Sequence, residues 1–136
     1  ILTPHIGEFK RFAVNFENSN EKINLQRRIS KKHEINIVLK GPYTTMTDSK
    51  GDLYINTSGN SGLATAGSGD VLTGIITGLL AQNYTPFNAM VSGVFLHGLS
   101  VDIAVKKSHV NSLIASDITK NLSNAFKAVE KNITSN

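Results

Sequence analysis

Cysteine is absent from the 136 residues, and so is tryptophan. Without thiols the chain can build neither a disulfide framework nor a thiolate metal site. No His-x-x-x-His pair supports a metal held by the protein alone, which leaves open only magnesium carried on nucleotide phosphates. There is no Gly-x-x-x-x-Gly-Lys-Ser/Thr, so a Walker-type NTPase is excluded. Gly67-Ser68-Gly69 lacks the third glycine of a dinucleotide fingerprint, because Leu72 stands there and loop rather than strand precedes it. No Ser/His/Asp elbow is visible. The longest apolar run is broken by Gly74, Thr77 and Gly78, short of a membrane span. The opening Ile1-Leu2-Thr3-Pro4 has no basic region, no long apolar core and no initiator methionine. It reads as the start of a fragment or of a processed chain.

What is present fits a soluble globular domain, with 40% hydrophobic and 18% charged residues. The formal net charge is +4, and much of the excess lies in Arg27, Arg28, Lys31 and Lys32. No aromatic residues interleave with these cations to stack bases, so they read as a solvated helix face rather than a nucleic-acid patch. A mild positive bias also suits anionic, phosphate-bearing ligands. The Asn-x-Ser/Thr matches at Asn56, Asn121 and Asn132 are explained by chance in a chain rich in Asn and Ser.

Taken in order, residues 1–3 read as the end of a strand, and Pro4 forces an extended approach. A loop with His5, Gly7 and Glu8 opens a short helix through Phe9, Arg11 and Phe12. Residues 19–33 read as a helix, with Leu25 and Ile29 four apart. Ile37-Val38-Leu39 reads as a buried parallel strand. Lys40-Gly41-Pro42-Tyr43-Thr44 ends it at the kind of place where α/β folds put ligands, although a lysine snorkelling at a strand end is the plainer reading of Lys40. Thr44–Thr47 and Leu53–Thr57 flank a polar loop and read as a hairpin. Thr85-Pro86 is an N-cap followed by proline at the first helical position. The long helix that follows contains His97, read as core packing because no second ligand stands at helical spacing. Ser116-Asp117 caps a last amphipathic helix, and residues 132–136 read as a frayed tail. No repeat or linker divides the chain. The set of elements is too small for a complete doubly wound sheet, so roughly half of a domain is expected to be absent.

The stretch from Asn60 to Gly74 is the informative one. A small-residue loop runs into the apolar segment Val71 to Leu80, which has apolar residues on nearly every face and reads as a buried central helix. At its start the N–H groups of residues 67 to 70 have no helical partner, and the helix dipole adds partial positive charge. Such a turn attracts phosphate. One acid, Asp70, sits in it. It is either a base or orienting group for whatever meets the phosphate, or an ordinary first-turn acid favourable to the dipole.

Ala66-Gly67-Ser68-Gly69-Asp70-Val71-Leu72 resembles the Gly-x-Gly-Asp anion-hole motif of ribokinase-like kinases. Together with Thr3-Pro4-His5-x-Gly7-Glu8, Lys40-Gly41-x-x-Thr44, Leu79-Leu80-Ala81-Gln82 and Leu96-His97-Gly98, it is similar to the ADP/ATP-dependent NAD(P)H-hydrate dehydratases. The resemblance covers nearly the whole chain, as the C-terminal half of that family's domain. It departs at Ile6, where the family usually has proline. It implies an α/β, ribokinase-like three-layer αβα fold, incomplete here, with residues 1–136 as the C-terminal part of a single domain. It also implies a lyase of nucleotide repair. Hydrated NADH or NADPH (the S form) would be phosphorylated on its ring hydroxyl by ADP or ATP, and phosphate would then be eliminated. By the same resemblance Asp70 is catalytic, and His5 and Asp70 contact the hydrated cofactor. Lys40, Gly41, Pro42, Tyr43, Thr44 and Gly69 bind the nucleotide, and Gly67, Ser68, Gly69 and Asp70 form the anion hole. No metal is bound by protein ligands; Mg2+ comes with the nucleotide. The implied partners are the missing N-terminal half and further copies in a cytoplasmic homo-oligomer, with no nucleic acid and no membrane. Two other readings stand: a small-molecule kinase that stops at the phosphorylated alcohol, and a nucleotide-binding fragment that does not turn over.

Overall fold

The computed structural model describes residues 1–13 and 16–134, the last three of them through their backbone alone. The chain forms two compact units, residues 1–56 with 84–91, and residues 57–83 with 92–136.

The first unit is built on a three-stranded sheet, β1 (Ile37–Leu39), β2 (Thr45–Thr47) and β3 (Leu53–Ile55), in the order β1-β2-β3. Ile37 pairs with Thr47 and Thr45 with Ile55, so both ladders are antiparallel. The hairpin was legible in the sequence. β1 has both settings: parallel bridges from Leu2 to Ile37 and from His5 to Lys40, with Val38 N–H donating to Leu2 O at 2.8 Å, bear out the parallel reading on one side, whereas β2 on the other runs antiparallel. The reason is the turn at Gly41-Pro42, because a short connection can only return a strand antiparallel. The 41–44 turn thus leaves β1 at a position held by Lys40 N–H, which donates to Pro4 O at 2.9 Å.

Helix α1 (Ile6–Phe12) and helix α2 (Ser19–His33) belong to the same unit. Asn18 caps α2 by accepting the Glu21 N–H. Phe9, Leu25 and Leu39 bury together, with Phe16 and Ile29 against them. The face of α2 on the sheet is not wholly apolar. Gln26, fully buried, donates to Ile37 O and Thr45 O at 3.2 Å and accepts from Thr45 Oγ1 at 2.7 Å. Ser30 and Thr47 share a 2.6 Å hydroxyl contact. All three residues of β2 are therefore buried, the two threonines because α2 supplies their polar partners.

The second unit contains α3 (Ser68–Ala81), most of α4 (Pro86–Ala104) and α5 (Ala115–Thr134). Val101, Ala104, Leu113 and Ile118 form its core, with Leu63, Val71 and Val105 packed against them. Helix α3 is not buried all round, as its composition suggested. Leu72, Ile75, Ile76 and Leu79 are buried, whereas Thr73, Gly74, Thr77 and Gly78 form an exposed stripe at i, i+4 spacing. Among the described residues nothing lies within 4 Å of a Cβ placed at Gly74 or Gly78. Helix α5 starts at Ala115, ahead of the expected Ser116 cap. Asp117, the third helical residue, reaches back to accept the Ile114 N–H at 3.2 Å and so caps the helix as expected, while Ser116 lies inside it. Its end extends to Thr134; the rest of the expected frayed tail, residues 135 and 136, lies outside the described residues.

Helix α4 begins as expected after Thr85, whose hydroxyl accepts the Asn88 N–H. The sequence reading found no stretch long and apolar enough for a membrane span, yet α4 qualifies on length and composition, with 19 residues and mean hydropathy 1.3. Some 56% of it is buried inside the protein, as in a core helix.

Candidate active site

The phosphate-attracting turn belongs to the second unit. Gly67 is the N-cap of α3 with φ 82°, in the left-handed region where a side chain is strained. The sequence reading left all four N–H groups of residues 67 to 70 unpartnered. The turn itself engages two of them: Ser68 N–H donates to Thr65 O at 3.3 Å, and Asp70 N–H to Gly67 O at 3.1 Å. Among the described residues the N–H groups of Gly67 and Gly69 find no acceptor. Asp70 is exposed in the first turn of α3, and its carboxylate has no hydrogen-bond or ion-pair partner among the described residues. A donor without an acceptor and a carboxylate without a donor therefore stand one residue apart at the positive end of a 14-residue helix. The Ser68 hydroxyl faces inward. Ser68 is 4% exposed, and its Oγ lies 3.2 Å from His97 Nε2.

The preceding loop is gripped by α4. Asp102 accepts from Gly59 N–H at 2.7 Å and from Asn60 Nδ2 at 2.8 Å. Asn60 Oδ1 in turn accepts from Gly62 N–H and caps a 3-10 turn, Ser61–Ala64. Ser58 Oγ donates to Phe95 O, and Gly98 sits so close that a Cβ there would meet Ser58 Oγ at 2.3 Å. Asn60, Asp102 and Gly98 were missed as site-building residues. Asn60 had a signal, an Asx residue two before a glycine in a loop. Asp102 had none, since it stands 42 residues away in sequence.

The residues expected on the nucleotide and cofactor side belong to the first unit. His5 caps α1 in a reciprocal box: its Nδ1 accepts the Glu8 N–H at 3.1 Å, and Glu8 Oε2 accepts the His5 N–H at 2.7 Å. This places the proton of the neutral ring on Nε2, which lies 3.5 Å from Glu8 Oε1. Lys40 Nζ lies 3.9 Å from Glu8 Oε2. Lys40 is thus paired rather than snorkelling freely. Glu8 is held below its usual carboxylate range, first by the His5 amide hydrogen bond and then by the charges of Lys40 and Arg11 acting against desolvation. It was overlooked as a site residue, although the His-x-x-Glu spacing of a capping box was present. Beyond Lys40 the turn is open: Gly41 has no neighbour within 4 Å of a Cβ, Tyr43 is 80% exposed, and Thr44 Oγ1 donates to Gly41 O at 3.3 Å.

An apolar groove of about 300 Å³ runs between α3 and α5, lined by Gly74, Gly78 and Phe126 among others. It contains none of the expected site residues. Among the described residues no group of three His, Asp or Glu side chains could hold a metal.

Comparison with known proteins follows the same lines. A family model for NAD(P)H-hydrate dehydratase matches residues 1–124. An ADP-dependent (S)-NAD(P)H-hydrate dehydratase from Neisseria meningitidis is 39% identical over 121 residues, 87% of this chain and 41% of that protein. The solved structure of the ADP/ATP-dependent NAD(P)H-hydrate dehydratase from Bacillus subtilis, co-crystallised with ATP/Mg2+, superposes with a TM-score of 0.83 at 31% identity, over 93% of this chain and 47% of that one. A ribokinase-like superfamily protein from Enterococcus faecalis superposes with a TM-score of 0.75 at 32% identity, over 93% of this chain and 44% of that one. The fold is therefore α/β and ribokinase-like. The chain spans about a quarter to a half of the lengths of the relatives it matches.

Proposed function

The chain belongs to the NAD(P)H-hydrate dehydratase family, and from that premise we propose that it supplies half of a nucleotide-repair lyase. The reaction is the ADP- or ATP-dependent dehydration of the S form of hydrated NADH or NADPH. The ring hydroxyl attacks the terminal phosphorus of the nucleotide and loses its proton, while the bond from that phosphorus to the bridging oxygen breaks and AMP (from ADP) or ADP (from ATP) leaves with the electron pair. The phosphate ester then breaks its C–O bond, phosphate leaves with the electron pair, and the adjacent ring carbon gives up a proton as the double bond returns. Hydroxide leaves poorly and phosphate leaves well, which is why a nucleotide is consumed.

Phosphoryl transfer asks a protein for positioning and charge stabilisation rather than covalent chemistry. The observation that carries the reading is the pairing of the acceptor-free Gly69 N–H with the unpartnered Asp70 carboxylate in one helical turn. In this reading Gly67 and Gly69 offer N–H groups to the transferring phosphoryl group. Ser68 contributes through its backbone. Asp70 accepts the hydroxyl proton and contacts the hydrated cofactor. The fixed Nε2–H of His5 donates to the hydrated cofactor, and Lys40 to Thr44 with Gly69 receive the adenine nucleotide. Mg2+ travels on the nucleotide's own phosphates. A cytoplasmic homo-oligomer completes the proposal.

The test supplies the chain with the N-terminal half of the Bacillus subtilis dehydratase domain, joined or co-expressed. Hydrated NADH with ADP or ATP is expected to regain absorbance at 340 nm. A stable phosphorylated alcohol with no NADH points instead to a kinase that stops at the first step. Robust turnover by the 136 residues alone overturns the expectation that half of the site lies elsewhere.

A further inference from the structure

Helix α4 carries a buried imidazole that no step above uses. His97 is 6% exposed, and its Nε2 lies 2.9 Å from the Ser68 carbonyl oxygen and 3.2 Å from Ser68 Oγ. A carbonyl oxygen can only accept, so the nitrogen that faces it bears the proton. Burial lowers the His97 pKa from its ordinary value of 6.5 against the opposing Ser68 hydrogen bond, and this keeps the ring neutral. A neutral ring has one N–H. The tautomer is therefore Nε2–H, with Nδ1 bare, and Ser68 Oγ cannot donate to it.

The consequence lies one bond further on. The Ser68 C=O and the Gly69 N–H belong to the same peptide group. That group is planar, and no cis peptide occurs among the described residues, so the two dipoles point in opposite directions. The Ser68 carbonyl, whose helical partner is the Leu72 N–H four residues on, receives the His97 Nε2–H as a second donor, and the Gly69 N–H points the opposite way, toward the N-terminal end of α3. We infer that His97 is a positioning residue for the phosphoryl-facing turn: it orients the Gly69 N–H through the rigid peptide plane they share with Ser68. The imidazole is itself well anchored. Directly after it Gly98 packs against Ser58, and one turn on Asp102 ties α4 to Gly59 and Asn60. The same stretch of α4 thus fixes both the loop before the turn and the first peptide of α3.

This inference rests on the proposed reaction only for its kinetic readout. In the completed protein used above, His97→Leu keeps an apolar side chain and removes the N–H. It is expected to lower kcat about tenfold to a hundredfold, less than loss of a whole oxyanion donor, while the nucleotide KM moves less than about threefold. His97→Gln can place an amide N–H near the same point and is expected to recover most of the loss. By NMR the wild-type ring is expected in the Nε2–H form. The Gly69 amide resonance should shift in His97→Leu and return toward its wild-type position in His97→Gln, with the Val101 and Ile118 signals in place. A proton on Nδ1, an unmoved Gly69 amide in His97→Leu, or a folded His97→Gln protein that behaves like His97→Leu each overturns the inference. If His97→Leu does not fold, the Gln variant decides alone, by keeping or losing the wild-type Gly69 signal and kcat. A wild-type protein with no dehydratase turnover sinks the proposed function instead, and the Gly69 amide still decides the role of His97.

Discussion

His5 in the first unit and His97 in the second are held in the same tautomer by opposite means. His5 is exposed, its Nδ1 fixed by a backbone N–H, and its surroundings are charged: Glu8 faces both its ring and Lys40. His97 is buried and neutral, its Nε2 fixed by a backbone carbonyl, with an uncharged serine as partner. Exposed pairs are screened by solvent and can rearrange as a ligand arrives. A buried hydrogen bond cannot rearrange without leaving a polar group unpaired, and so it preorganises. On the proposed reaction the contrast gives the two regions different expected tasks: binding for the first unit, and the rate of the chemical step for the turn in the second.

The strongest challenge to that division is Asp70→Ala in the completed protein. Turnover is expected to fall by about 10³-fold, within the range for loss of a positioned proton acceptor, while titration with ADP still shows binding. Unchanged turnover removes Asp70 from the mechanism, and lost nucleotide binding would mean that the two tasks are not separate. Next in size is Gly98→Ala. Its Cβ would meet Ser58 Oγ at 2.3 Å and Ser58 backbone atoms at 2.7 Å, so α4 or the loop must shift. Overpacking of this kind costs about 1–3 kcal/mol, readable as a lower melting temperature. Gly74→Ala on the open face of α3 is the control. With nothing within 4 Å, it is expected to gain up to about 1 kcal/mol from helix propensity. If Gly74→Ala lowers the melting temperature as much as Gly98→Ala does, the close approach of α4 to Ser58 is not what holds the loop. Smaller again is His5→Ala, expected to raise KM for the hydrated cofactor up to about tenfold, the worth of one hydrogen bond, with kcat little changed. A fall in kcat as large as that of Asp70→Ala would erase the distinction between the regions.

What the sequence disclosed, and what it hid, follows the same physical line. Periodic or punctuated segments were legible: residues 19–33 as a helix, the hairpin around residues 48–52, and Thr85-Pro86 as the start of α4, because each is specified by neighbours in the chain. The place of the turn was legible too, since Gly67 stands directly before an apolar helical run and becomes the N-cap of α3. What stayed hidden depends on partners distant in sequence. Gln26 and Ser30 look like the polar side of α2 until β2 supplies Thr45 and Thr47. His97 looks like filler until Ser68, 29 residues earlier, meets it. The solvent exposure of Thr73, Gly74, Thr77 and Gly78 could not be read from α3 itself, because its composition is that of a helix covered on all sides. The antiparallel partner of β1 stayed hidden for a simpler reason: a short buried apolar run looks the same in parallel and antiparallel sheets, and only the tight Gly41-Pro42 turn carried the answer.

The smallest expected effect is on pH dependence, and it separates the two regions by window. Glu8 has a folded-state pKa below its ordinary 4.5. Its contribution to stability is present above that value and is lost as pH falls through the lower folded value. His97 is also lowered, from 6.5, by burial. Below pH 6.5 the unfolded chain takes up a proton that the folded ring still refuses, so stability falls on acidification from that point toward the folded value. The second unit is therefore expected to loosen first as pH drops from neutrality, with the first unit following only below the ordinary carboxylate range. Amide exchange measured at intervals from pH 7.5 to pH 4 would show it, with the Val71 and Leu72 amides losing protection before the Phe9 amide does. His97→Gln carries no titrating group and should flatten the upper part of the profile while leaving the lower part in place. Loss of protection in both regions at one pH would mean that the buried neutral imidazole and the exposed carboxylate are not independent supports.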